Sequence, residues 1–261
     1  METTSGEGFW PKLGRGLGVA ATAVGRAAAG AYHSVDPDAR RHVAELPLAG
    51  LTLIAKREVD VAALPDDGHR PVVFVHGLGG GRGNFTLMRL WLRLQGRRRT
   101  YSLRLPGSES IPRLAERLSA YVHSVIEAND LAEGQVDLVA HSMGGLVARC
   151  ALEDPETARR VATLVTLGTP HAGSHAARYA DTQHTRDLRP DSELLARLAR
   201  QLPWSGSSRL VCFWSRADVI LLPATTARVE GATNVELPDV THYGYLIYPS
   251  VWQRVNETLR G

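Results

Sequence analysis

Apolar runs alternate with amphipathic stretches along the chain from about residue 49 to its end. The runs at residues 71–76, 136–141 and 161–167 are almost continuously apolar, which is typical of strands buried on both faces. Between them, residues 111–128 repeat apolar positions with a helical period. Strands that alternate with helices predict a parallel sheet covered by helices on both faces, which is an α/β fold.

The same pattern predicts the remaining elements of this region. Further strands are predicted at residues 51–59, 100–105, 209–213 and 235–237, and further helices at residues 84–94, 146–152 and 249–259. No boundary divides this stretch, so we expect one α/β domain over residues 49–261.

Residues 171–206 interrupt the alternation just before the strand predicted at residues 209–213. This insertion is polar and carries its own predicted helix, at residues 192–202. One face of that helix collects Leu194, Leu195, Leu198 and Leu202. A lid over an active site and a helix packed on the core share this pattern, and periodicity cannot separate them.

Residues 1–48 form a segment rich in alanine and glycine, where we expect a surface helix or a loosely packed one. The small residues at 27–30 resemble the cleavage site of a signal peptide. The acidic Glu2 and Glu7 and the interrupting Arg26 argue against such a peptide. A cytoplasmic location is therefore favoured, and secretion stays open.

Composition agrees with a globular protein. A chain of 261 residues that is 44% hydrophobic can build one substantial core. The net charge of +3 comes from arginines scattered over predicted helices, which suits solvated faces and a weak attraction to anionic surfaces. No basic groove interleaved with aromatic residues suggests nucleic acid. Cys150 and Cys212 both fall in predicted buried segments, so we expect free thiols that do not report a compartment.

The strongest chemical signal is the sequence Ala140-His-Ser-Met-Gly-Gly145, at the end of a predicted strand and the start of a predicted helix. Small residues on both sides of Ser142 permit a very tight turn with the serine at its apex. Such a turn holds the serine in a strained backbone and presents its hydroxyl to a substrate. Ser142 is therefore the candidate nucleophile.

A serine nucleophile needs a base and a carboxylate that orients the base. His242, in a loop just before the last helical segment, is the candidate base, and Asp218, after the strand at residues 209–213, is the candidate carboxylate. Their order along the chain, Ser, Asp, His, is the one that a strand-turn-helix nucleophile uses. Asp239 is a rival to Asp218, but it lies only three positions before His242.

The loop that follows the strand at residues 71–76 is rich in glycine, which lets the backbone approach a ligand closely. The amide of Leu78 in this loop could join the amide of Met143 in binding an oxyanion. Leu78 and Met143 are also expected to line the cleft for an acyl chain. His76 is interpreted as a structural hydrogen bonder behind the loop. His141 is interpreted as a space-filling neighbour of the tight turn around Ser142, which we call the elbow.

These pieces together resemble the lipases and esterases of the α/β-hydrolase fold, particularly bacterial triacylglycerol lipases. The matching motifs are His76-Gly-Leu-Gly-Gly80, Ala140-His-Ser-Met-Gly-Gly145, Thr166-Leu-Gly-Thr-Pro-His-Ala-Gly173, the Asp218 loop and Thr241-His242. They follow the family's order, and Ala140 stands where glycine is commoner. The resemblance implies an ester hydrolase that uses an acyl-enzyme intermediate, needs no cofactor and acts on acyl esters or lipids, with peripheral contact with a lipid surface left open.

Other activities stay open beside this interpretation. The same residues could serve an amidase, a polyester hydrolase or an acyltransferase, or the fold could be a catalytically silent binding protein. The glycine loop also resembles a dinucleotide-binding turn. A nicotinamide site requires an acidic residue about 20 positions later, but this region contains arginines at residues 97–99, so such a site is disfavoured. The sequence does not give the acyl-chain length, the head group or the oligomeric state.

A metal site is the last alternative. His171, His175, Asp181 and His184 lie close together in the insertion. Their spacing matches no recognised zinc pattern, so we interpret them as polar residues of the cap and expect no metal.

Overall fold

The computed structural model describes residues 36–38, 40–41, 44–45, 61–131, 134–179 and 181–260. Within them, a six-stranded parallel sheet has the order β2-β1-β3-β4-β5-β6. Its strands are β1 Val72–Val75, β2 Thr100–Leu103, β3 Val136–His141, β4 Val161–Leu167, β5 Arg209–Trp214 and β6 Thr233–Glu236. The predicted parallel α/β fold is confirmed. The strand predicted at residues 51–59 lies outside the described residues.

The helices cover both faces of the sheet. They are α1 Thr86–Leu94, α2 Ile111–Ala128, α3 Met143–Ala151, α4 Pro155–Arg159, α5 Gln183–Asp187, α6 Glu193–Ala199, α7 Gly244–Ile247 and α8 Pro249–Thr258, with 3-10 helices at Arg82–Phe85, His175–Tyr179 and Ala224–Ala227. The long helices match the predicted ones within a few residues. The short helices α4, α5 and α7 were not predicted, because one helical turn is too short to carry a period. In the described part of the chain, no helix is long and apolar enough to span a membrane.

The sequence of strand β1 is continuously apolar because both of its faces are buried. Val73 and Val75 point into a core shared with α2 and α3, whereas Val72 and Phe74 point into a second core shared with α1, α7 and α8. Successive side chains of a strand alternate between its faces, so a strand covered on both sides must be apolar at every position.

The insertion at residues 171–206 packs on the first of these cores. Ser192 caps the N-terminus of α6, where its Oγ accepts a hydrogen bond of 3.2 Å from the amide of Leu195. Leu194, Leu195 and Leu198 are all buried in the cluster that contains α2 and α3. Leu202 was expected on the same face, but α6 ends at Ala199 and Leu202 is 37% exposed. The buried leucine face favours a helix fixed to the core over a hinged lid.

The separate segment predicted at residues 1–48 lies largely outside the described residues. Its described residues, at 36–38, 40–41 and 44–45, are mostly helical. The division of the chain at residue 49 and the cap boundaries at 171 and 206 stay predictions.

Candidate active site

Ser142 lies at the junction of β3 and α3, with a left-handed φ of 54° and a ψ of −129°. This conformation is rare for a residue with a side chain and costs about 1–3 kcal/mol. A Cβ on Gly144 would lie 2.5 Å from the carbonyl oxygen of Val75, and a Cβ on Gly77 would lie 2.8 Å from the Cβ of Ser142. Glycine at both positions therefore lets the elbow pack directly against the end of β1.

The structure brings Ser142, His242 and Asp218 together in one chain of hydrogen bonds. His242 Nδ1 lies 2.9 Å from Asp218 Oδ2, and His242 Nε2 lies 3.0 Å from Ser142 Oγ. Because a carboxylate only accepts hydrogen bonds, Nδ1–H donates to Asp218 and Nε2 is left to accept the serine proton. This is the tautomer that a general base needs.

Asp218 is held by its own loop. Its side chain is 1% exposed, and Oδ1 accepts hydrogen bonds from the amides of Ile220 (3.1 Å) and Leu221 (3.3 Å). The other oxygen is thereby directed at the imidazole. The rival Asp239 is exposed, with a left-handed φ of 56°. The carboxylate on the imidazole is thus that of Asp218.

The glycine loop turns back beside Ser142. The amide of Gly80 donates to the carbonyl of Gly77 at 3.1 Å, which puts Leu78 and Gly79 at the corners of a turn, and Gly79 has a left-handed φ of 66°. Among the described residues, no hydrogen-bond acceptor is paired with the amide of Leu78 or of Met143. The first amides of a helix such as α3 lack intrahelical partners. Both amides therefore stay candidates for an oxyanion hole.

The side chains of the two predicted oxyanion residues differ in exposure. Leu78 is 46% exposed, as a residue that contacts substrate requires. Met143 is 2% exposed and packs in the core with α2 and α3, because the first turn of α3 directs it inward. The expectation that the Met143 side chain lines an acyl cleft is corrected accordingly, and only its amide remains in the candidate site.

His76 supports the glycine loop, as expected. Its Nδ1–H donates to the carbonyl of Gly77 at 2.9 Å, and its Nε2 accepts from the amide of Leu105 at 3.0 Å. Both ring nitrogens are thus used in the neutral form. Burial lowers the pKa of His76, which keeps the ring neutral.

His141 does more than fill space. Its Nε2 lies 2.9 Å from the carbonyl oxygen of His242, to which Nε2–H donates, and the two rings are 4.7 Å apart. Burial, and next the proximity of His242, hold the pKa of His141 well below its usual value. His141 is therefore a neutral support for the backbone of His242. No sequence pattern indicates this contact, because it joins residues 101 positions apart.

Ser215 was also missed. Its Oγ accepts hydrogen bonds from the amides of Ala217 (3.2 Å) and Val240 (3.1 Å). One buried hydroxyl therefore joins the loop of Asp218 to the loop of His242. A serine after a strand has no distinctive pattern, so sequence reasoning had no signal for this role.

The histidines of the insertion do not converge on a metal. His171 Nε2 is 3.1 Å from Thr166 Oγ1, and exposed Asp181 pairs with Arg186 at 2.8 Å and Arg189 at 3.1 Å. In the ranges that the structure describes, no group of three or more His, Cys, Asp or Glu side chains could hold a metal ion.

Solved structures of a lipase and of another hydrolase share this fold. The mature form of Bacillus licheniformis lipase BlEst2 aligns with a TM-score of 0.63 over 76% of this chain and 94% of that one, at 17% identity. MGS-MChE2, an α/β hydrolase from the metagenome of lagoon sediments in Morocco, aligns with a TM-score of 0.55 over 78% of this chain and 97% of that one, at 19% identity. The chain has the α/β-hydrolase fold.

Sequence comparisons point the same way. The model of the PGAP1-like alpha/beta domain matches residues 113–187, which include the Ser142 elbow. A triacylglycerol lipase from Burkholderia plantarii is 34% identical over 147 residues, covering 52% of this chain and 40% of the lipase. One from Pseudarthrobacter phenanthrenivorans is 35% identical over 116 residues, covering 41% of this chain and 35% of the lipase. The expected resemblance to such lipases is confirmed, and the chain spans about two-fifths of their length.

Proposed function

We propose that this α/β hydrolase is a serine carboxylic-ester hydrolase of the lipase and esterase type. The observation that carries the proposal is the hydrogen-bonded chain from Ser142 through His242 to Asp218, at the apex of a strained elbow. The matches to triacylglycerol lipases support an ester or lipid as substrate.

Acylation begins when Ser142 Oγ attacks the carbonyl carbon of the ester. His242 Nε2, 3.0 Å away, takes the serine proton, and the carbonyl oxygen becomes an oxyanion that accepts hydrogen bonds from the amides of Leu78 and Met143. When the tetrahedral intermediate collapses, the proton on His242 passes to the departing alkoxide. The alcohol leaves, and the acyl group stays on Ser142.

Deacylation repeats these steps with water. His242 takes a proton from water, whose oxygen attacks the acyl carbon, and the imidazolium then returns a proton to Ser142 as the acid leaves. Asp218, buried and bonded to Nδ1, stabilises the imidazolium in both halves of the reaction. This route needs no cofactor.

Other bonds and acceptors use the same steps. An amide in place of the ester, or an alcohol in place of water, would make the protein an amidase or an acyltransferase, and a polyester is a further substrate class. The α/β-hydrolase fold with a silent site is the remaining alternative.

The test is reaction with a p-nitrophenyl phosphonate, followed by hydrolysis of p-nitrophenyl esters of increasing chain length. We expect stoichiometric labelling of Ser142, release of p-nitrophenol and no labelling of the Ser142→Ala variant. Absence of labelling in the folded wild-type protein would leave the silent binding protein as the better interpretation. Labelling without ester turnover, together with turnover of amides or alcohol acceptors, would reassign the reaction.

A further inference from the structure

The loop that carries His242 has no regular structure of its own. It runs from the end of β6 at Glu236 to α7, which begins at Gly244. The histidine must nevertheless be positioned accurately, because a misplacement of about 1 Å can cost roughly a hundredfold in rate. Contacts from outside the loop must therefore fix it.

Glu45, from the segment before residue 49, makes two such contacts. It is 7% exposed, and its two carboxylate oxygens accept separate hydrogen bonds from the hydroxyls of Thr241 and Tyr248. Thr241 directly precedes His242, and Tyr248 directly follows α7. One buried carboxylate thus joins the residue before the candidate base to the residue after α7.

The hydroxyl of Thr241 extends this contact across the turn. It donates to Glu45 and accepts a hydrogen bond of 2.9 Å from the amide of Gly244. A Cβ on Gly244 would lie 2.9 Å from this hydroxyl oxygen, so the turn is closed tightly around it. His242 lies between the two residues that the hydroxyl connects.

Burial, and next the hydrogen bond to Glu45 and its charge, raise the pKa of Tyr248 to about 12. The phenol therefore keeps its proton and donates it to the carboxylate. Both hydroxyls would lose this acceptor if Glu45 were removed, and the loss is unfavourable above all for Thr241, which is fully buried.

Arg41 makes a further contact with the same loop. It is helical, like Glu45, and lies four residues earlier. Its Nη1 donates to the carbonyl of Asp239 at 2.9 Å, where the backbone φ is 56°. Two residues of the segment before residue 49 therefore contact the loop on both sides of Val240.

We propose that Glu45 is a positioning residue for His242, and thus that a residue outside the α/β domain contributes to the active site. The proposal rests on the function proposed above. Glu45 touches neither substrate nor reacting atoms. It acts by holding Thr241 and Tyr248, and through them the direction of His242 Nε2 toward Ser142.

The test compares Glu45→Ala and Glu45→Gln with wild type and with Glu116→Ala, a control that removes an exposed carboxylate paired with Arg113 on α2. We expect Glu45→Ala to lower kcat on a short soluble ester by about tenfold to a hundredfold, with KM changed less than about twofold. Glu45→Gln should recover part of kcat, because its amide oxygen still accepts one hydroxyl. Glu116→Ala should match wild type.

Activity is expressed per competent site, counted by titration with the phosphonate, so that loss of folded protein does not imitate loss of kcat. Equal kcat in Glu45→Ala and wild type, or a loss that vanishes after titration, would overturn the proposal. If Glu45→Ala does not fold, Tyr248→Phe serves instead, because it removes one hydroxyl and no charge. We expect it to lower kcat by about threefold to tenfold, the effect of one hydrogen bond, and an unchanged kcat would overturn the proposal.

Failure of the proposed function gives a different result. In that case wild type itself would not react with the phosphonate. A wild type that reacts and hydrolyses esters, beside a Glu45 variant that does so equally well, would contradict only the role of Glu45.

Discussion

Ser142 and His242 meet in one site, but different kinds of structure hold them. Ser142 is fixed by backbone geometry over a few consecutive residues, with glycines that allow close packing against β1. His242 is fixed by side chains from distant parts of the chain, namely Glu45 through Thr241, His141 at its carbonyl and Asp218 at its ring. A nucleophile held locally can be read from a short motif, whereas the supports of the base cannot.

The largest effect on activity is expected from a substitution of the nucleophile. Ser142→Ala should lower ester turnover by several orders of magnitude, because the covalent route is lost while the elbow keeps its backbone. The measurement is kcat/KM on a soluble p-nitrophenyl ester, with circular dichroism to check the fold. Retention of more than about a tenth of wild-type activity would remove Ser142 as the nucleophile.

A substitution of Asp218 tests whether this carboxylate orients the ring of His242, as the hydrogen bond between them indicates. Asp218→Asn should preserve the fold and lower kcat by up to about ten-thousandfold, because the amide favours the wrong imidazole tautomer. Asp239→Asn is the matched control in the neighbouring loop and should cost far less, since Asp239 is exposed. An active Asp218→Asn beside an inactive Asp239→Asn would reverse the assignment.

A smaller effect on activity is expected from His141, which donates a hydrogen bond to the carbonyl of His242. His141→Phe keeps a buried ring but removes the donor to the carbonyl of His242, so we expect kcat to fall by up to about tenfold, the effect of one hydrogen bond. KM should change little, because the substrate cleft is not altered.

His175→Ala, at an exposed histidine, is the control. An unchanged kcat in a folded His141→Phe variant would show that His141 is only a packing residue.

The sequence was sufficient for the fold because strands buried on both faces are apolar at every position. The apolar run of β1 and the helical period of apolar positions along the 18 residues of α2 could be recognised without tertiary information. Ser142, Asp218 and His242 could be nominated because their chemistry and order are distinctive. Glu45, His141 and Ser215 could not be found, since each acts through contacts between residues that are far apart in sequence or through an ordinary loop hydroxyl.

The inward orientation of Met143 could not be predicted for a related reason. An elbow sequence specifies where the amide of the following residue lies, but the rotation of α3 against α2 decides where the side chain points. The leucine face of α6 presented the same difficulty, because an apolar face can cover either a core or a ligand.

The α6 leucines provide the prediction with the smallest expected effect on chemistry. Because Leu194, Leu195 and Leu198 are buried in the core with α2 and α3, replacing them should cost stability more than substrate preference. Leu198→Ala alone should lower the free energy of unfolding by about 2–5 kcal/mol. Below the melting transition, activity should fall equally on emulsified long-chain esters and on short soluble ones. Leu202→Ala, at a partly exposed leucine just beyond the helix, is the control and should be nearly neutral. A selective loss on emulsified substrate, with an unchanged melting temperature, would instead favour a lid that opens at a lipid surface.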